Sequence, residues 1–249
     1  MGFDVSYHPI SENEIDEWYF TVLADVKNGN TGTARALAQS RGMDEFYINK
    51  YVDTLNTGAQ TTPQDLFEKT HGFYIAVIQG FFRTYFYTRG AAFTFLIEED
   101  ASFRQYTKPW EEILRVPVEN PIKNQIVENY CSGVYLPFDK LSKFLDDYAG
   151  TRESKDKIDA VFSHKRIDVF LKAVRFAVEN KLGILEATEV VEPHPFDLNK
   201  SGSYSNLFNC DKDGAFLYQE AALEQVSQID LNPKPAKKKG FFGKLFGGK

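Results

Sequence analysis

Apolar residues recur at helical spacing along most of the chain, and typical helix-start residues precede these runs. Ser11 and Glu14 have the spacing of a capping box ahead of apolar positions that continue to Val26, and Asn28-Gly29 predicts the end of that helix. Gly183 follows the longest amphipathic run, where a left-handed residue commonly ends a helix. Helices are predicted at 33–40, 44–55, 137–148, 163–182 and 215–229, with further helix starts at Pro63 and Pro109.

Two segments depart from this amphipathic pattern. The stretch 73–87 is apolar almost throughout and too long for one strand, so it predicts a buried helix. The segment 184–191 is rich in β-branched residues and bounded by Gly183 and Pro193, which favours a short strand. We find no internal repeat and no strand–helix alternation. The predicted fold is therefore mainly α: a single multi-helix globular domain over 1–232, with at most a small β element and a flexible C-terminal tail.

Composition indicates the cellular compartment in which the protein acts and the chemical class of its partner. The 249 residues include 15% aromatic and 26% charged side chains, which is typical of a chain that folds alone. The formal charge is −6, and six lysines without an acid lie after residue 232, so 1–232 carries −12. This negative charge argues against nucleic acid as the binding partner and favours a basic protein. The two cysteines lie far apart, and neither a signal peptide nor an apolar run of about 20 residues is present, so we expect a cytoplasmic protein.

The segment 233–249, called here the basic tail, combines positive charge with large apolar side chains. Its four glycines disfavour a helix in water, and its pattern is that of interfacial amphipathic helices. We expect it to be flexible and to bind an anionic membrane surface, with a protein partner as the alternative. Peripheral attachment at the inner face of the membrane follows from the first option. The predicted contact residues are Lys237, Lys238, Lys239, Phe241, Phe242, Lys244, Leu245 and Phe246.

One twelve-residue segment has the spacing of a calcium-binding loop. Asn209, Asp211, Asp213 and Glu220 occupy positions 1, 3, 5 and 12 of an EF-hand pattern, and Gly214 occupies position 6. Position 1 ordinarily holds Asp, no helix is predicted before the segment, and no second such loop occurs. We therefore favour an Asx turn that caps the final helix, with calcium binding as the alternative.

No catalytic residue and no cofactor are predicted. The four histidines lack metal-ligand spacing, and the paired carboxylates are explained by solvated helix faces in an acidic protein. The aromatic residues of 73–97, with Arg83 or Arg89 as a polar group, could line an enzyme pocket. Packing in the core is the interpretation that we favour for them.

Three short segments, 1–10, 133–137 and 182–188, resemble uncharacterised bacterial proteins that act as immunity or accessory partners in toxin systems. The resemblance implies a stoichiometric binder and carries over no functional residue. The leading hypothesis is a non-catalytic protein-interaction module, recruited to a membrane surface or a partner by its basic tail. The alternatives are an enzyme with an aromatic pocket in 73–97 and a calcium-responsive adaptor that uses 209–220.

Overall fold

A four-stranded antiparallel sheet lies at the centre of the protein. The computed structural model describes residues 3–231, with side chains up to residue 228. The strand order is β2-β1-β4-β3, and Tyr7 of β1 pairs with Phe86 on one side and Glu186 on the other. A separate two-stranded sheet pairs β5 with β6. The strands are β1 (Asp4–Ile10), β2 (Phe86–Arg89), β3 (Ser132–Leu136), β4 (Gly183–Thr188), β5 (Val191–Glu192) and β6 (Gly202–Ser203).

Helices of the first half of the chain cover one face of this sheet. Leu185 and Ala187 of β4 point into a cluster that includes Trp18, Tyr51 and Phe81. A π-helical turn at Asp16–Phe20 links the first two helices, and a 3-10 turn at Phe67–Lys69 precedes the fifth. The helices are α1 (Glu12–Ile15), α2 (Thr21–Lys27), α3 (Gly32–Ser40), α4 (Glu45–Ala59) and α5 (His71–Phe82).

Most of the remaining helices cover the opposite face and the β2 edge, whereas Trp110 and Ile113, in a short helix of this half, belong to the cluster on the first face. Val5 and Tyr7 alternate to this face, where they meet Phe93, Phe144 and Phe170. The last helix packs against β2 and α10. Further 3-10 turns occur at Ala101–Tyr106, Leu198–Lys200 and Leu207–Asn209. The helices are α6 (Phe93–Glu99), α7 (Trp110–Ile113), α8 (Phe138–Gly150), α9 (Arg152–Val161), α10 (Arg166–Glu179) and α11 (Asp213–Leu231).

The mainly helical fold class is confirmed, and so are several local predictions. Ser11 and Glu14 form both hydrogen bonds of the capping box. The predicted helices at 33–40, 44–55, 137–148 and 215–229 correspond to α3, α4, α8 and α11, and the predicted strand at 184–191 to β4. The β element is nevertheless larger than one short strand, because β1, β2 and β3 join it in a central sheet.

Three element boundaries were predicted wrongly. Within 73–87 the helix ends at Phe82, Arg83 adopts an extended backbone and ion-pairs with Glu14, and the chain continues into β2. Pro63 lies in a turn closed by hydrogen bonds from Thr62 to the Asp65 carboxylate instead of starting a helix. The helix predicted over 163–182 begins only at residue 166, because residues 164 and 165 have left-handed backbone angles.

Candidate functional site

Four aromatic side chains form a surface cluster, called here the aromatic patch: Phe73, Tyr74, Tyr130 and Tyr204. The ring centroids of Tyr130 and Tyr204 lie 5.7 Å apart with nearly perpendicular planes, and Phe73 lies 6.3 Å and 5.7 Å from them. Such edge-to-face contacts are favourable beyond simple burial. Phe73 is 6% exposed, whereas Tyr130 is 42% and Tyr204 is 53% exposed. The patch therefore has a buried base and two tyrosines that face solvent.

Separate elements bring these side chains together. Phe73 and Tyr74 lie in the first turns of α5, Tyr130 precedes β3, and Tyr204 follows β6. The backbone of Tyr204 is fixed by a 3.0 Å hydrogen bond from its N–H to the Val190 carbonyl. Tyr130 has a φ of 55°, a left-handed conformation that is uncommon for an aromatic residue. Strain of this kind persists only where the surrounding structure imposes it, and it is concentrated at functional sites.

A groove of about 590 Å³ lies on one side of the patch. Phe73, Tyr74, Tyr130 and Tyr204 contribute aromatic walls, and α4 contributes polar side chains, among them Lys50. Lys69 also lines this groove, and its ammonium group is paired with Glu128 at 2.5 Å. The groove therefore combines aromatic walls with several polar side chains, and its volume is within the range of known binding sites.

A smaller groove of about 260 Å³ lies on the other side of the same tyrosines and is lined by Glu189 and Glu192. Neither carboxylate forms an ion pair with a residue in the described part of the chain, 3–231. The Tyr130 hydroxyl donates to Glu192 at 3.4 Å, and the negative charge of Glu192 raises the pKa of Tyr130. Partial burial raises the pKa of Glu189. Within residues 3–231 these two carboxylates thus stand beside exposed aromatic rings without a salt bridge, although the positive charge of Arg89 partly opposes the rise in the pKa of Glu189.

The buried histidines serve the fold. His8 on β1 contacts Ser6 Oγ and Gln79 Oε1 at 2.8 Å each, and burial lowers its pKa to about 4. His71 at the start of α5 contacts the Tyr19 hydroxyl at 2.6 Å, and burial lowers its pKa to about 4 as well. Both rings are therefore neutral near pH 7, and each is held by hydrogen bonds to neighbouring side chains in the core.

Glu186 is a fully buried carboxyl group with a strongly raised pKa. It lies on β4 without solvent exposure and accepts hydrogen bonds at the start of α6 from Phe93 N, Thr94 N at 3.1 Å and Thr94 Oγ1 at 2.5 Å. Burial raises its pKa to about 7, although these donors act in the opposite direction. Its contacts are those of a side chain that caps a helix from a neighbouring strand.

The segment 209–220 forms a turn and the beginning of α11. The carboxylates of Asp211 and Asp213 both contact Lys172 Nζ at 2.6 Å, and Asp211 Oδ1 accepts from Asp213 N at 3.2 Å. The Asn209 amide donates to the Gly80 carbonyl at 2.9 Å, and Glu220 lies two helical turns beyond Asp213. The Asx turn is thus present. Calcium binding by Asn209, Asp211, Asp213 and Glu220 stays a prediction, and it requires displacement of Lys172.

Within residues 3–231 no group of three or more His, Cys, Asp or Glu side chains is arranged to hold a metal ion. The same part of the chain contains no helix with both the length and the apolar character to cross a membrane. The eight contact residues predicted in the basic tail lie outside the described residues.

Most aromatic residues of the candidate enzyme pocket in 73–97 pack in the interior. Phe81, Tyr85, Phe86 and Phe93 are all at most 4% exposed. The two candidate polar groups are engaged, since Arg83 pairs with Glu14 and Arg89 with Asp4. Only Phe73 and Tyr74, at the beginning of the segment, reach the groove beside the aromatic patch.

Sequence reasoning missed Tyr130 and Tyr204. Both lie in loop segments far apart in the chain, so no periodic pattern joins them.

Comparison of the chain with protein-family models, with curated proteins and with solved structures finds no match of any of the three kinds.

Proposed function

We propose that the protein is a non-catalytic protein-interaction module whose aromatic patch binds a basic polypeptide. The observation that carries the proposal is the exposed Tyr130–Tyr204 pair between a large groove with aromatic walls and two carboxylates that form no ion pair within residues 3–231. Tyrosine is enriched among the residues that dominate protein interfaces, because it offers a large, rigid contact area and a polar tip.

The charges around the patch specify the chemistry of the partner. A lysine or arginine side chain placed over the Tyr130 or Tyr204 ring would gain a cation–π contact and could ion-pair with Glu189 or Glu192. Apolar side chains next to it in the partner would fill the larger groove. The charge of −12 on 1–232 attracts a basic protein at long range and accelerates the encounter.

An immunity-type or accessory role fits a stoichiometric binder of this kind, since occlusion of a basic effector needs a complementary surface and no catalytic group. The basic tail then recruits the module to an anionic membrane surface or adds a second contact to the partner. Two linked contacts raise the overall affinity because the second binding event becomes intramolecular.

Capture from the native host tests the proposal. The full-length protein is used as bait beside a variant with Tyr130→Ser and Tyr204→Ser. The matched control is Phe208→Ser, which removes an 88% exposed aromatic ring outside the patch. We expect one basic protein to be retained by the wild type and by the control and to be lost with the double variant. Retention of the same proteins by all three baits would reject the patch as the binding surface.

The carboxylates are tested on the recovered partner. Replacing Glu189 and Glu192 with Gln should lower the association rate of the partner and make that rate less dependent on salt. The dissociation rate should change little, because the aromatic contacts remain. A partner of acidic composition, or association that is insensitive to salt, would refute the charge argument.

Liposome co-sedimentation tests the role of the basic tail. The full-length protein should sediment with vesicles that contain anionic lipid, and a chain that ends at residue 230 should stay in the supernatant. Replacement of Phe241, Phe242, Leu245 and Phe246 with Ser should weaken binding even at low salt. If the intact protein ignores the vesicles while the shortened chain loses the partner, the tail is a docking peptide for protein.

A further inference from the structure

A second cavity, of about 500 Å³, lies between the end of β2, the start of α10 and α11. We call it the basic cavity, because Arg89, His164 and Arg166 line it and no Asp or Glu does. It shares no residue with the aromatic patch. A wall that carries two guanidinium groups is unexpected in a protein whose first 232 residues carry −12. We propose that the basic cavity binds a phosphate ester that carries an aromatic or apolar group.

The two arginines differ in how their charges are balanced. Arg89 ion-pairs with Asp4, which also accepts from the Tyr87 hydroxyl at 2.5 Å. Arg166 forms no ion pair with any residue between 3 and 231, and its one hydrogen bond from the guanidinium goes to Ser163 Oγ at 3.4 Å. Asp4 thus holds Arg89 in position, and Arg166 supplies a positive charge that no acidic residue of the described part of the chain pairs with. Arginine matches phosphate oxygens because its N–H groups form a planar fork.

The backbone of the cavity rim is held in uncommon conformations. Gly90 has a φ of 71°, His164 of 60° and Lys165 of 64°. The left-handed turn at residues 164 and 165 places Arg166 at the beginning of α10, where the helix dipole adds positive potential. Non-glycine residues adopt such angles at a cost, and they do so preferentially where a ligand is held. The turn brings His164 and Arg166 to the same cavity as Arg89.

The opposite wall explains the aromatic or apolar part of the ligand. The small side chains of Ala221 and Ala222 on α11 leave this part of the cavity open, and Leu217 and Tyr218 provide apolar surface beside it. The Arg89 guanidinium lies 4.7 Å from the centroid of the Tyr218 ring, so the ring stands next to the positive groups. The cavity is large enough for a small organic molecule and larger than an inorganic anion needs.

The charge of the cavity excludes two other occupants. The basic tail has six lysines and no acid, so its charge has the wrong sign. A neutral apolar molecule would leave Arg166 without a counter-charge. A phosphate group can belong to a soluble ester or to a lipid headgroup, and both sources present the same oxygens to the arginines.

Calorimetry on the full-length protein tests the proposal, with adenosine monophosphate, inorganic phosphate and adenosine as probes up to about 10 mM. Adenosine monophosphate should bind more tightly than either of its parts. Arg166→Gln should weaken its binding about 10- to 100-fold, because a charge-assisted contact is lost. The matched control is Arg175→Gln, an exposed arginine on the same helix that does not line the cavity. This control should bind like the wild type.

Vesicles distinguish the source of the phosphate. Binding to phosphatidic acid vesicles that falls with Arg166→Gln, without binding of the soluble probes, would identify a lipid headgroup as the ligand and support the proposal. A second variant, Ala222→Leu, fills the cavity without changing charge and should also weaken binding. The proposal is overturned if no phosphate probe binds the wild-type protein and vesicle binding is unchanged by Arg166→Gln. It is equally overturned if adenosine binds as tightly as adenosine monophosphate.

Discussion

The contribution of Glu186 to the stability of the protein should fall as the pH rises. Its pKa of about 7 in the folded protein lies above the ordinary value of 4.5, so between these pH values the folded state holds a proton that the unfolded chain releases. The stabilisation is complete below pH 4.5 and is lost as the pH rises through about 7. A shift of this size corresponds to about 3 kcal/mol in the free energy of unfolding. The group has no solvent exposure, so screening by water does not reduce this magnitude.

The replacement Glu186→Gln isolates this effect. Glutamine is neutral at every pH, but its amide nitrogen would face one of the backbone N–H groups of Phe93 or Thr94. We therefore expect a constant loss of about 1–3 kcal/mol from the unpaired donors. On top of this constant loss, the variant should gain about 3 kcal/mol relative to the wild type between pH 4.5 and 8.

Urea unfolding of both proteins at a series of pH values measures this difference. The comparison with the variant is necessary because His8 and His71, with pKa values of about 4, act in the opposite direction. Their contribution to stability is present above pH 6.5 and lost as the pH falls towards 4. They contribute equally to both proteins and cancel in the difference. The reasoning on Glu186 would be refuted if the difference in the free energy of unfolding between the two proteins did not change with pH. It would also be refuted if the variant lost stability relative to the wild type as the pH rises.

Two further predictions concern α11 and its start. Gly214→Ala should destabilise the protein by about 1–3 kcal/mol, because the added Cβ would lie 1.7 Å from the Tyr87 carbonyl oxygen and push α11 from β2. A Cβ atom added at Gly150 has no atom within 4 Å, so Gly150→Ala should leave the free energy of unfolding in urea unchanged. Equal losses of stability in both variants would contradict the argument that α11 approaches β2 too closely for a side chain at Gly214. A calorimetric titration with Ca²⁺ should give no heat above dilution, because the Lys172 ammonium group already contacts both the Asp211 and the Asp213 carboxylate. A one-to-one isotherm that Glu220→Gln abolishes would establish the calcium interpretation instead.

Local signals in the sequence predicted the helices because each signal is contained within a few residues. The capping box at Ser11 and Glu14 is one example, and the N-cap of α4 is another, where Asp44 accepts from Tyr47 N at 3.1 Å. These hydrogen bonds depend on neighbours in the chain, so they are independent of how distant elements pack.

The central sheet could not be predicted in the same way, because helices cover both of its faces. Polar and apolar residues alternate from Asp4 to His8, but all residues of β1 are buried, so Ser6 and His8 lie in the interior instead of on a solvent-facing side. Pro9 also argues against a central strand, since it cannot donate to a neighbour. The structure accommodates it because the pairing of β1 with β2 ends at Tyr7, and Gln79 and Arg83 donate to the Pro9 carbonyl.

The aromatic patch depends on contacts across the fold. Phe73 was assigned to a buried helix, and it does lie on α5, but its exposed partners come from the loops before β3 and after β6. The left-handed backbone of Tyr130 also has no signal in the sequence, because such a position is ordinarily marked by glycine.

The dissociation constant of the captured partner tests the central claim most directly. It is measured with purified components for the wild type, for the Tyr130→Ser and Tyr204→Ser double variant, and for Phe208→Ser. We predict a loss of about 100-fold or more for the double variant, since truncation of one dominant interface residue already costs about 2 kcal/mol. The control should stay within about threefold of the wild type. Equal affinities for all three proteins would contradict the assignment of the aromatic patch as the binding surface.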